Sequence, residues 1–204
     1  MGNQLIIVGA SGHGKVIADI ARKNGYQEIS FLDDDNAKRV CAGYKVIGAL
    51  QDAERFRNSD FIVGIGSCAV RKRIQTQLEE KGLNIVSLIH PNAVIADSVT
   101  IGAGTVVMAG AIINPDTTIG RGCIVNTGAT VDHDNRIADY VHISVGSHLA
   151  GTVTVGEGTM IGAGAVVSNN VRICNGCMIG AGAVVVSNLE TAGTYVGVPA
   201  RMLK

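Results

Sequence analysis

One histidine in the second half of the chain lies between two carboxylates, in the run Asp132-His133-Asp134. A carboxylate beside a histidine can orient the ring and raise its basicity, so the ring can take a proton from an attacking amine or hydroxyl. Residues 124–137 carry no other charge except that of Arg136. We therefore consider His133 a candidate general base, while a solvated histidine at a surface corner would show the same pattern.

A glycine-rich segment near the amino terminus, Gly9-Ala10-Ser11-Gly12-His13-Gly14-Lys15-Val16, lies where a strand is followed by a helix. Backbone N–H groups at such a helix start can bind phosphate. The segment is not a complete Walker A loop, because Val16 replaces the hydroxyl residue that would hold magnesium. Its glycines are spaced G-x-x-G-x-G, out of register with a dinucleotide fingerprint, although Asp33 further along could bind a ribose. The diphosphate of a nucleotide sugar and a purely structural turn remain as interpretations.

The elements around this loop alternate between strand and helix. Strands are predicted at 4–10, 28–32, 61–66 and 84–89, and helices at 15–24 and 69–81. The alternation predicts an α/β domain that is Rossmann-like but short.

The rest of the chain follows a six-residue repeat. Every sixth residue from Ile89 to Val185 is Ile, Leu or Val, and the residue four positions later is mostly small. Three hexads make one triangular coil of 18 residues, so residues 89–190 predict about six stacked coils of a parallel β-helix. Tyr140 is the only aromatic residue between positions 62 and 194, which fits a narrow aliphatic core.

Composition limits the partners and the location. The 204 residues contain 17 Lys plus Arg and 17 Asp plus Glu, so no net charge recruits nucleic acid or an anionic membrane. No segment of the sequence is long and apolar enough to predict membrane insertion or export. The five cysteines are scattered and odd in number, which is typical of reduced thiols in the cytoplasm. The change in composition places a boundary near residue 88, with domains at 1–88 and 89–204.

Several motifs together resemble the sugar O-acyltransferase family, which belongs to the hexapeptide-repeat acyltransferases. They are Gly-Ala-Ser-Gly-His-Gly-Lys at 9–15, Phe31-Leu32-Asp33-Asp34, Val125-Asn126-Thr127, Asp132-His133-Asp134, His142-Ile143-Ser144-Val145-Gly146 and Val196-Gly197-Val198-Pro199-Ala200. The family includes sialic-acid O-acetyltransferases and the N-acetyltransferases of UDP-4-amino-sugars in the bacillosamine pathway. The resemblance covers the whole chain and implies a left-handed β-helix, acetyl-CoA as co-substrate without a metal, and a homotrimer with active sites between subunits.

The resemblance also implies roles for individual residues. His133 matches the general base of the family, and Asp134 stands where the family often has the longer Glu. The positions that hold the nucleotide sugar match Ser11, Gly12, His13, Asp33, Asp34 and Gly66. The positions that contact acetyl-CoA match His142, Gly151, Ala163 and Ala181.

Two of these positions also follow from the repeat. Ala163 and Ala181 are 18 residues apart and stack in adjacent coils, where small side chains leave room for a pantetheine group or simply suit a tight corner. Asn126 belongs to a similar column with Ser144, and we consider it a candidate substrate contact.

Cys174 and Cys177 have a spacing seen in zinc sites, but no second Cys or His pair is suitably placed. Cys123 and Cys177 occupy inward positions of the repeat, where a thiol behaves as a small hydrophobe. We therefore expect direct acetyl transfer without an acyl-enzyme.

The predicted function is N-acetylation of a nucleotide-activated amino sugar, with a UDP-4-amino-sugar favoured. O-acetylation of sialic acid or another sugar hydroxyl is the alternative, because His133 can serve either acceptor. A γ-class carbonic anhydrase has the same kind of prism and a metal held by three histidines, for which His133, His142 and His148 are available. The glycine-rich loop argues against that reaction. A non-catalytic scaffold has no support beyond the regular repeat.

Overall fold

The computed structural model describes residues 4–203, which divide into two compact units with the boundary between residues 91 and 92. No helix within these described residues has the length and apolar content that a membrane span requires.

The first unit is an α/β domain. Its elements are β1 Gln4–Val8, α1 Gly12–Lys23, β2 Glu28–Leu32, β3 Val40–Cys41, β4 Tyr44–Gly48, a 3-10 helix Leu50–Phe56, β5 Asp60–Val63, α2 Cys68–Glu80, β6 Asn84–Ile85 and β7 Leu88–Ile89. The strand order is β3-β4-β2-β1-β5-β6, and all neighbouring strands are parallel except β3 and β4.

The centre of this sheet is apolar on both faces. Leu5, Ile6 and Ile7 of β1 are fully buried, as is typical of a parallel strand covered on both sides. The chain passes from β1 to β2 on one side and later to β5 on the other, so the winding direction changes beside β1. In open α/β sheets the crevice at the carboxyl ends of such strands is where ligands bind.

The boundaries differ from the predictions at functionally important places. Helix α1 begins at Gly12 rather than at Lys15, because the extended Ser11 caps it and accepts a hydrogen bond from the N–H of Gly14 at 3.3 Å. Strand β5 ends at Val63, which leaves Gly64 to Gly66 in a loop, and the predicted strand 84–89 is split into two short strands. The elements between residues 40 and 56 were not predicted.

The second unit is built from short strands. They are β8 Val94–Ile95, β9 Thr100–Ile101, β10 Val106–Val107, β11 Ile112–Ile113, β12 Thr118–Ile119, β13 Ile124–Val125, β14 Thr130–Val131, β15 Arg136–Ile137, β16 His142–Ile143, β17 His148–Leu149, β18 Thr154–Val155, β19 Met160–Ile161, β20 Val166–Val167, β21 Arg172–Ile173, β22 Met178–Ile179, β23 Val184–Val185, β24 Thr194–Val196 and β25 Arg201–Met202.

Strands 18 residues apart pair in parallel and form three faces. The first face contains β10, β13, β16, β19, β22 and β24, the second contains β8, β11, β14, β17, β20 and β23, and the third contains β9, β12, β15, β18 and β21. The repeat residues from Val107 to Val185 are at most 2% exposed, so they line the interior as predicted. The antiparallel pair β24–β25, which joins Tyr195 to Met202, was not predicted because it lies beyond the repeat.

Buried hydroxyl groups fix the corners between faces. Thr105, Thr117 and Thr159 occupy inward corner positions and are at most 1% exposed. Thr117 Oγ1 donates to the carbonyl oxygen of Asp132 at 2.8 Å, and Thr105 and Thr159 make equivalent bonds to Gly120 and Cys174. Such bonds satisfy buried backbone groups at the tight turns, so the corner that carries His133 is held from inside the prism.

Candidate functional site

The loop after β1 contains glycines that packing requires. A Cβ atom on Gly14 would lie 2.3 Å from the carbonyl oxygen of Gly9, and one on Gly9 would lie 2.8 Å from Ile65. A Cβ atom on Gly64 would be 3.0 Å from Ile7. Ser11 connects the two loops, since its hydroxyl donates to the carbonyl oxygen of Gly64 at 2.9 Å. These glycines allow the loops to pack closely.

Two other glycines in the same loops have no packing role. A Cβ atom on Gly12 or Gly66 would meet nothing within 4 Å. Open space in front of backbone N–H groups at the start of a helix is what a phosphate group needs in order to approach closely. His13, half-buried on the first turn of α1, adjoins Gly12. The geometry therefore separates a structural set of glycines from a set that faces open space.

Asp33 holds the first of these loops in place. Its carboxylate accepts hydrogen bonds from the N–H of Ala10 at 2.7 Å, the N–H of Asp35 at 2.9 Å and the ammonium group of Lys38 at 3.0 Å. Burial opposes the ionisation of Asp33, but these three donors together lower its pKa below the ordinary value. Because its oxygens already have these partners, Asp33 supports the loop, and the neighbouring Asp34 is the more exposed carboxylate.

In the second unit, His133 and Asp134 are in direct contact. His133 Nδ1 lies 2.7 Å from Asp134 Oδ2, and both side chains are 56% exposed. The hydrogen bond with Asp134 and the charge of Asp132 raise the pKa of His133 above its ordinary value. A carboxylate at Nδ1 leaves Nε2 as the basic nitrogen. The shorter Asp134 thus reaches the ring, aided by a left-handed backbone with φ of 57°.

Asp132 acts on the other side of the same corner. Its Oδ1 accepts the backbone N–H of His133 at 2.9 Å and the side-chain amide of Asn114 at 2.8 Å. The hydrogen bond from Asn114 and that from His133 lower the pKa of Asp132. Asp132 therefore fixes the backbone of the histidine, and Asp134 fixes its ring.

The His133 ring packs directly against Gly151 in the adjacent coil. A Cβ atom on Gly151 would lie 2.6 Å from both Cε1 and Nε2 of His133. The structure thus brings together the predicted base and one of the predicted acetyl-CoA contacts. Absence of a side chain at position 151 is what allows the ring to lie flat against this coil.

The other predicted acetyl-CoA contacts lie elsewhere on the prism. His142 is buried on the first face, where its Nε2 lies 3.2 Å from the side-chain amide nitrogen of Asn126. Ala163 and Ala181 are exposed at the corner after that face, and the N–H of Gly182 donates to the carbonyl oxygen of Ala163. His133 follows the second face, so one chain does not place His133 and His142 on the same surface.

Comparison with known proteins supports both units. Residues 4–78 match the PglD N-terminal domain family, and residues 98–133 and 152–187 match the bacterial transferase hexapeptide (six repeats) family. The acetyltransferase domain of PglB from Neisseria gonorrhoeae FA1090, solved with acetyl coenzyme A, is 38% identical over all of both chains, with a TM-score of 0.96. The chain belongs to this family of hexapeptide-repeat sugar acyltransferases.

Two further members of the family add detail. PerB from Caulobacter crescentus, solved with CoA and GDP-perosamine, is 37% identical, covers 98% of this chain and 97% of its own, and has a TM-score of 0.95. UDP-N-acetylbacillosamine N-acetyltransferase from Bacillus subtilis (strain 168) is 38% identical over 108 residues, which is half of this chain and half of that enzyme. The predicted family, the left-handed β-helix behind an α/β domain and the acetyltransferase class are confirmed, and relatives bind acetyl-CoA or CoA as predicted.

Asn135 is a residue of this acyltransferase corner that the sequence analysis missed. Its fully buried side-chain amide donates to the carbonyl oxygens of Asp132 at 2.6 Å, His133 at 3.3 Å and Ala150 at 3.0 Å. It thereby ties the His133 corner to the coil that carries Gly151. A signal was present, because Asn135 occupies an inward corner position where most hexads have a small residue.

Arg71 is a second missed residue, in the first unit of this family member. Its guanidinium group is 1% exposed and donates to the carbonyl oxygens of Ile65 at 3.0 Å and Gly66 at 2.9 Å. It therefore fixes the loop in which Gly66 faces open space. No local sequence pattern distinguishes this arginine from the other charged residues of α2.

The cysteines lie where a structural role was predicted for this acyltransferase. All five are free, and Cys123 and Cys177 are buried. Burial and the neighbouring Cys174, whose Sγ lies 3.5 Å away, raise the pKa of Cys177 to about 11, so the thiol stays protonated near neutral pH. Within residues 4–203, no group of three or more His, Cys, Asp or Glu residues forms a candidate metal site.

Proposed function

We propose that the protein transfers the acetyl group of acetyl-CoA to the amino group of a nucleotide-activated amino sugar, with His133 as the general base. The observation that carries this proposal is the His133–Asp134 pair packed on Gly151. A similar protein is solved with acetyl coenzyme A, another with CoA and GDP-perosamine. These relatives support the donor and the class of acceptor.

The transfer is a direct substitution at the thioester carbonyl. The amine nitrogen attacks the carbonyl carbon and forms the new C–N bond, and the C–S bond then breaks to release CoA. Nε2 of His133 takes the proton that the attacking amine loses and can return it to the departing sulfur. Asp134 stabilises the protonated ring through Nδ1. No buried thiol is needed as a nucleophile.

We assign the nucleotide sugar to the loops of the first unit. Ser11, Gly12 and His13 would receive the diphosphate at the start of α1, where Gly12 leaves space, and Gly66 leaves space in the neighbouring loop. Asp34 is the available carboxylate, and Asp33 supports the loop. We favour a UDP-4-amino-sugar because of the similarity to the bacillosamine enzyme, although PerB binds a GDP-linked sugar.

We further propose that the active unit is a cytoplasmic homotrimer. His133 and His142 occupy different faces of one prism, so a site that uses both needs the second residue from another subunit. Asn126, which contacts His142, would then face the same cleft. Five free cysteines are consistent with a reducing compartment.

The test measures thiol release from acetyl-CoA with UDP- and GDP-linked 4-amino-sugars and with free and CMP-linked sialic acid. His133→Ala should lower kcat on the preferred amino sugar by about a hundredfold or more, the size expected for loss of a general base. His148→Ala is the matched control, because His148 is exposed in the next coil and bonds Thr130 rather than a carboxylate. It should retain its activity.

The possible outcomes separate the parts of the proposal. Equal activity of the wild type and His133→Ala would remove His133 as the base. Activity on a sialic acid alone would replace the amine acceptor by a hydroxyl. Absence of thiol release with every acceptor, in a folded protein, would overturn the proposed activity.

A further inference from the structure

A small crevice opens at the carboxyl ends of β1 and β2 in the first unit. Its volume is about 190 Å³, below the roughly 300–1,000 Å³ of pockets that hold whole drug-sized ligands. Val8, Leu32, Leu50 and Ile65 contribute apolar surface to its lining. The crevice therefore suits one planar ring system rather than an entire nucleotide sugar.

Two kinds of charge line this crevice. Asp33 and Asp34 contribute carboxylates from the end of β2, and Arg73 contributes a guanidinium group from α2. Asp33 has its partners in Ala10, Asp35 and Lys38. The side chain of Arg73, by contrast, makes no hydrogen bond, ion pair or ring contact with any residue in the range 4–203. An unpaired arginine beside an apolar crevice is available to a ligand.

The charges decide which part of a nucleotide sugar fits here. A phosphate group placed in the crevice would face two carboxylates, and the pKa of Asp33 is lowered, so that carboxylate is ionised at neutral pH. A nucleobase has no such conflict, because its ring is uncharged and its N–H groups can donate to a carboxylate. The planar guanidinium of arginine stacks well on aromatic ring faces.

We propose that this crevice binds the nucleobase of the substrate, with Arg73 stacked on the base and Asp34 accepting a hydrogen bond from a base N–H group. Asp34 is suitably held, since its Oδ1 accepts the N–H of Leu50 at 2.9 Å and Oδ2 remains directed away from that bond. The inference rests on the proposed function and extends it, because it gives Arg73 a role in substrate binding and selection.

The experiment measures the dissociation constants of UDP, GDP and inorganic pyrophosphate for the wild type, Arg73→Ala, Arg73→Lys and Lys81→Ala. Arg73→Ala should weaken binding of the preferred nucleoside diphosphate roughly tenfold, the size expected for a lost stacking contact, and leave pyrophosphate binding unchanged. Arg73→Lys keeps the charge but not the plane, so it should restore less than half of the lost binding energy.

Lys81→Ala is the matched control. Lys81 is also a cation, but it lines the larger cavity of about 610 Å³ beyond Leu50 and is paired with Glu54 at 3.6 Å. It should bind the nucleoside diphosphates as the wild type does. Since Arg73 is exposed and unpaired among the described residues, all variants should unfold at the wild-type temperature.

Several results would overturn the assignment of Arg73. They are unchanged UDP and GDP binding in Arg73→Ala, an equal loss of pyrophosphate binding, full rescue by Arg73→Lys, or a loss confined to Lys81→Ala. Failure of the proposed function gives a different result, namely no binding of any nucleoside diphosphate by the wild type.

Discussion

At the scale of single residues, the basicity of His133 depends mainly on one hydrogen bond. The ring accepts no support from Asp132 except through charge, while Asp134 Oδ2 lies 2.7 Å from Nδ1 and is the first cause of the raised pKa. A general base acts in its neutral form, so activity is lost as the pH falls through the raised pKa. The acid limb of the pH profile therefore reports the contact with Asp134.

We predict that Asp134→Asn moves this acid limb of kcat/KM to lower pH. Loss of the carboxylate lets the pKa of His133 fall toward its ordinary value of about 6.5, so the ring stays neutral at lower pH. The maximal kcat should fall roughly tenfold or more, because the protonated ring loses its stabilising partner. The measurement is thiol release over a pH series with saturating acetyl-CoA.

Asp116→Asn provides the control for this experiment. Asp116 lies 18 residues earlier and has the same left-handed backbone, with φ of 59° against 57° for Asp134, but its residue is bonded to Ser98 rather than to a histidine. Its acid limb should coincide with that of the wild type. If Asp134→Asn also leaves the limb in place, another group carries the titration.

A methyl group at Gly151 should displace the base without unfolding the protein. Gly151 is not among the residues with positive φ, so alanine is compatible with its backbone. The added Cβ atom would nevertheless lie 2.6 Å from the His133 ring. We expect Gly151→Ala to lower kcat roughly tenfold to a hundredfold, since small displacements of a catalytic group have effects of this size.

A double-mutant cycle tests whether this loss acts through His133. In a His133→Ala background the ring is absent, so adding Gly151→Ala should lower kcat by no more than about twofold. Independent losses that multiply would instead show that the glycine acts on acetyl-CoA alone.

At the scale of elements, the two glycines at the start of α1 should respond in opposite ways to substitution. Gly14→Ala would place a Cβ atom 2.3 Å from the carbonyl oxygen of Gly9, so we expect a loss of about 1–3 kcal/mol in the free energy of unfolding. Gly12→Ala meets nothing within 4 Å, so its stability should be unchanged. Its KM for the nucleotide sugar should nevertheless rise roughly tenfold, because the methyl group occupies space assigned to the diphosphate.

Denaturant unfolding and steady-state kinetics on both variants check this pair. An unchanged KM for acetyl-CoA in Gly12→Ala shows that the second substrate is unaffected. A folded Gly12→Ala variant with a wild-type KM for every nucleotide sugar would return the loop to a purely structural role.

The sequence predicted elements whose pattern is local and missed those that depend on partners distant along the chain. The hexad specifies which side chains point inward, so the interior from Val107 to Val185 was predictable. The hairpin β3–β4 and the terminal pair β24–β25 have no repeat and only short apolar runs, so periodicity did not reveal them.

The same distinction applies to the site. His133 and Asp134 are adjacent in sequence, so their contact was predictable in kind, but its 2.7 Å geometry needed the turn with positive φ at Asp134. The contact of His133 with Gly151 joins adjacent coils and did not follow from the hexad pattern. Asn135 and Arg71 act on backbone carbonyls, and a sequence pattern gives no information about which carbonyls a buried donor will reach.

At the scale of the whole molecule, the three faces of the prism differ in what they expose. On the second face Val94, Ile112, Val166 and Val186 are 62, 37, 37 and 53% exposed. The corresponding positions on the third face are polar, as Thr118 and Arg136 show. A row of exposed aliphatic side chains on one face indicates an interaction surface.

This second face adjoins the candidate base. A groove of about 370 Å³ on it is lined by Ile112 and Val166 and also by Asp132, the residue before His133. Association of copies through this face would bring another subunit next to His133, which is what the proposed trimer requires. Assembly and activity should then be lost together.

We therefore predict that Val166→Lys and Val94→Lys each convert the assembly to monomers and lower kcat at least tenfold, because a buried, unpaired ammonium group opposes association. Val94 tests this most cleanly, since it does not line the groove beside Asp132. Thr118→Lys adds the same charge to the third face and should remain assembled and active. Sedimentation equilibrium and thiol release on the same samples decide the matter: monomers with full activity would mean that one chain contains a complete site, and trimers that survive both valine substitutions would place the interface on another face.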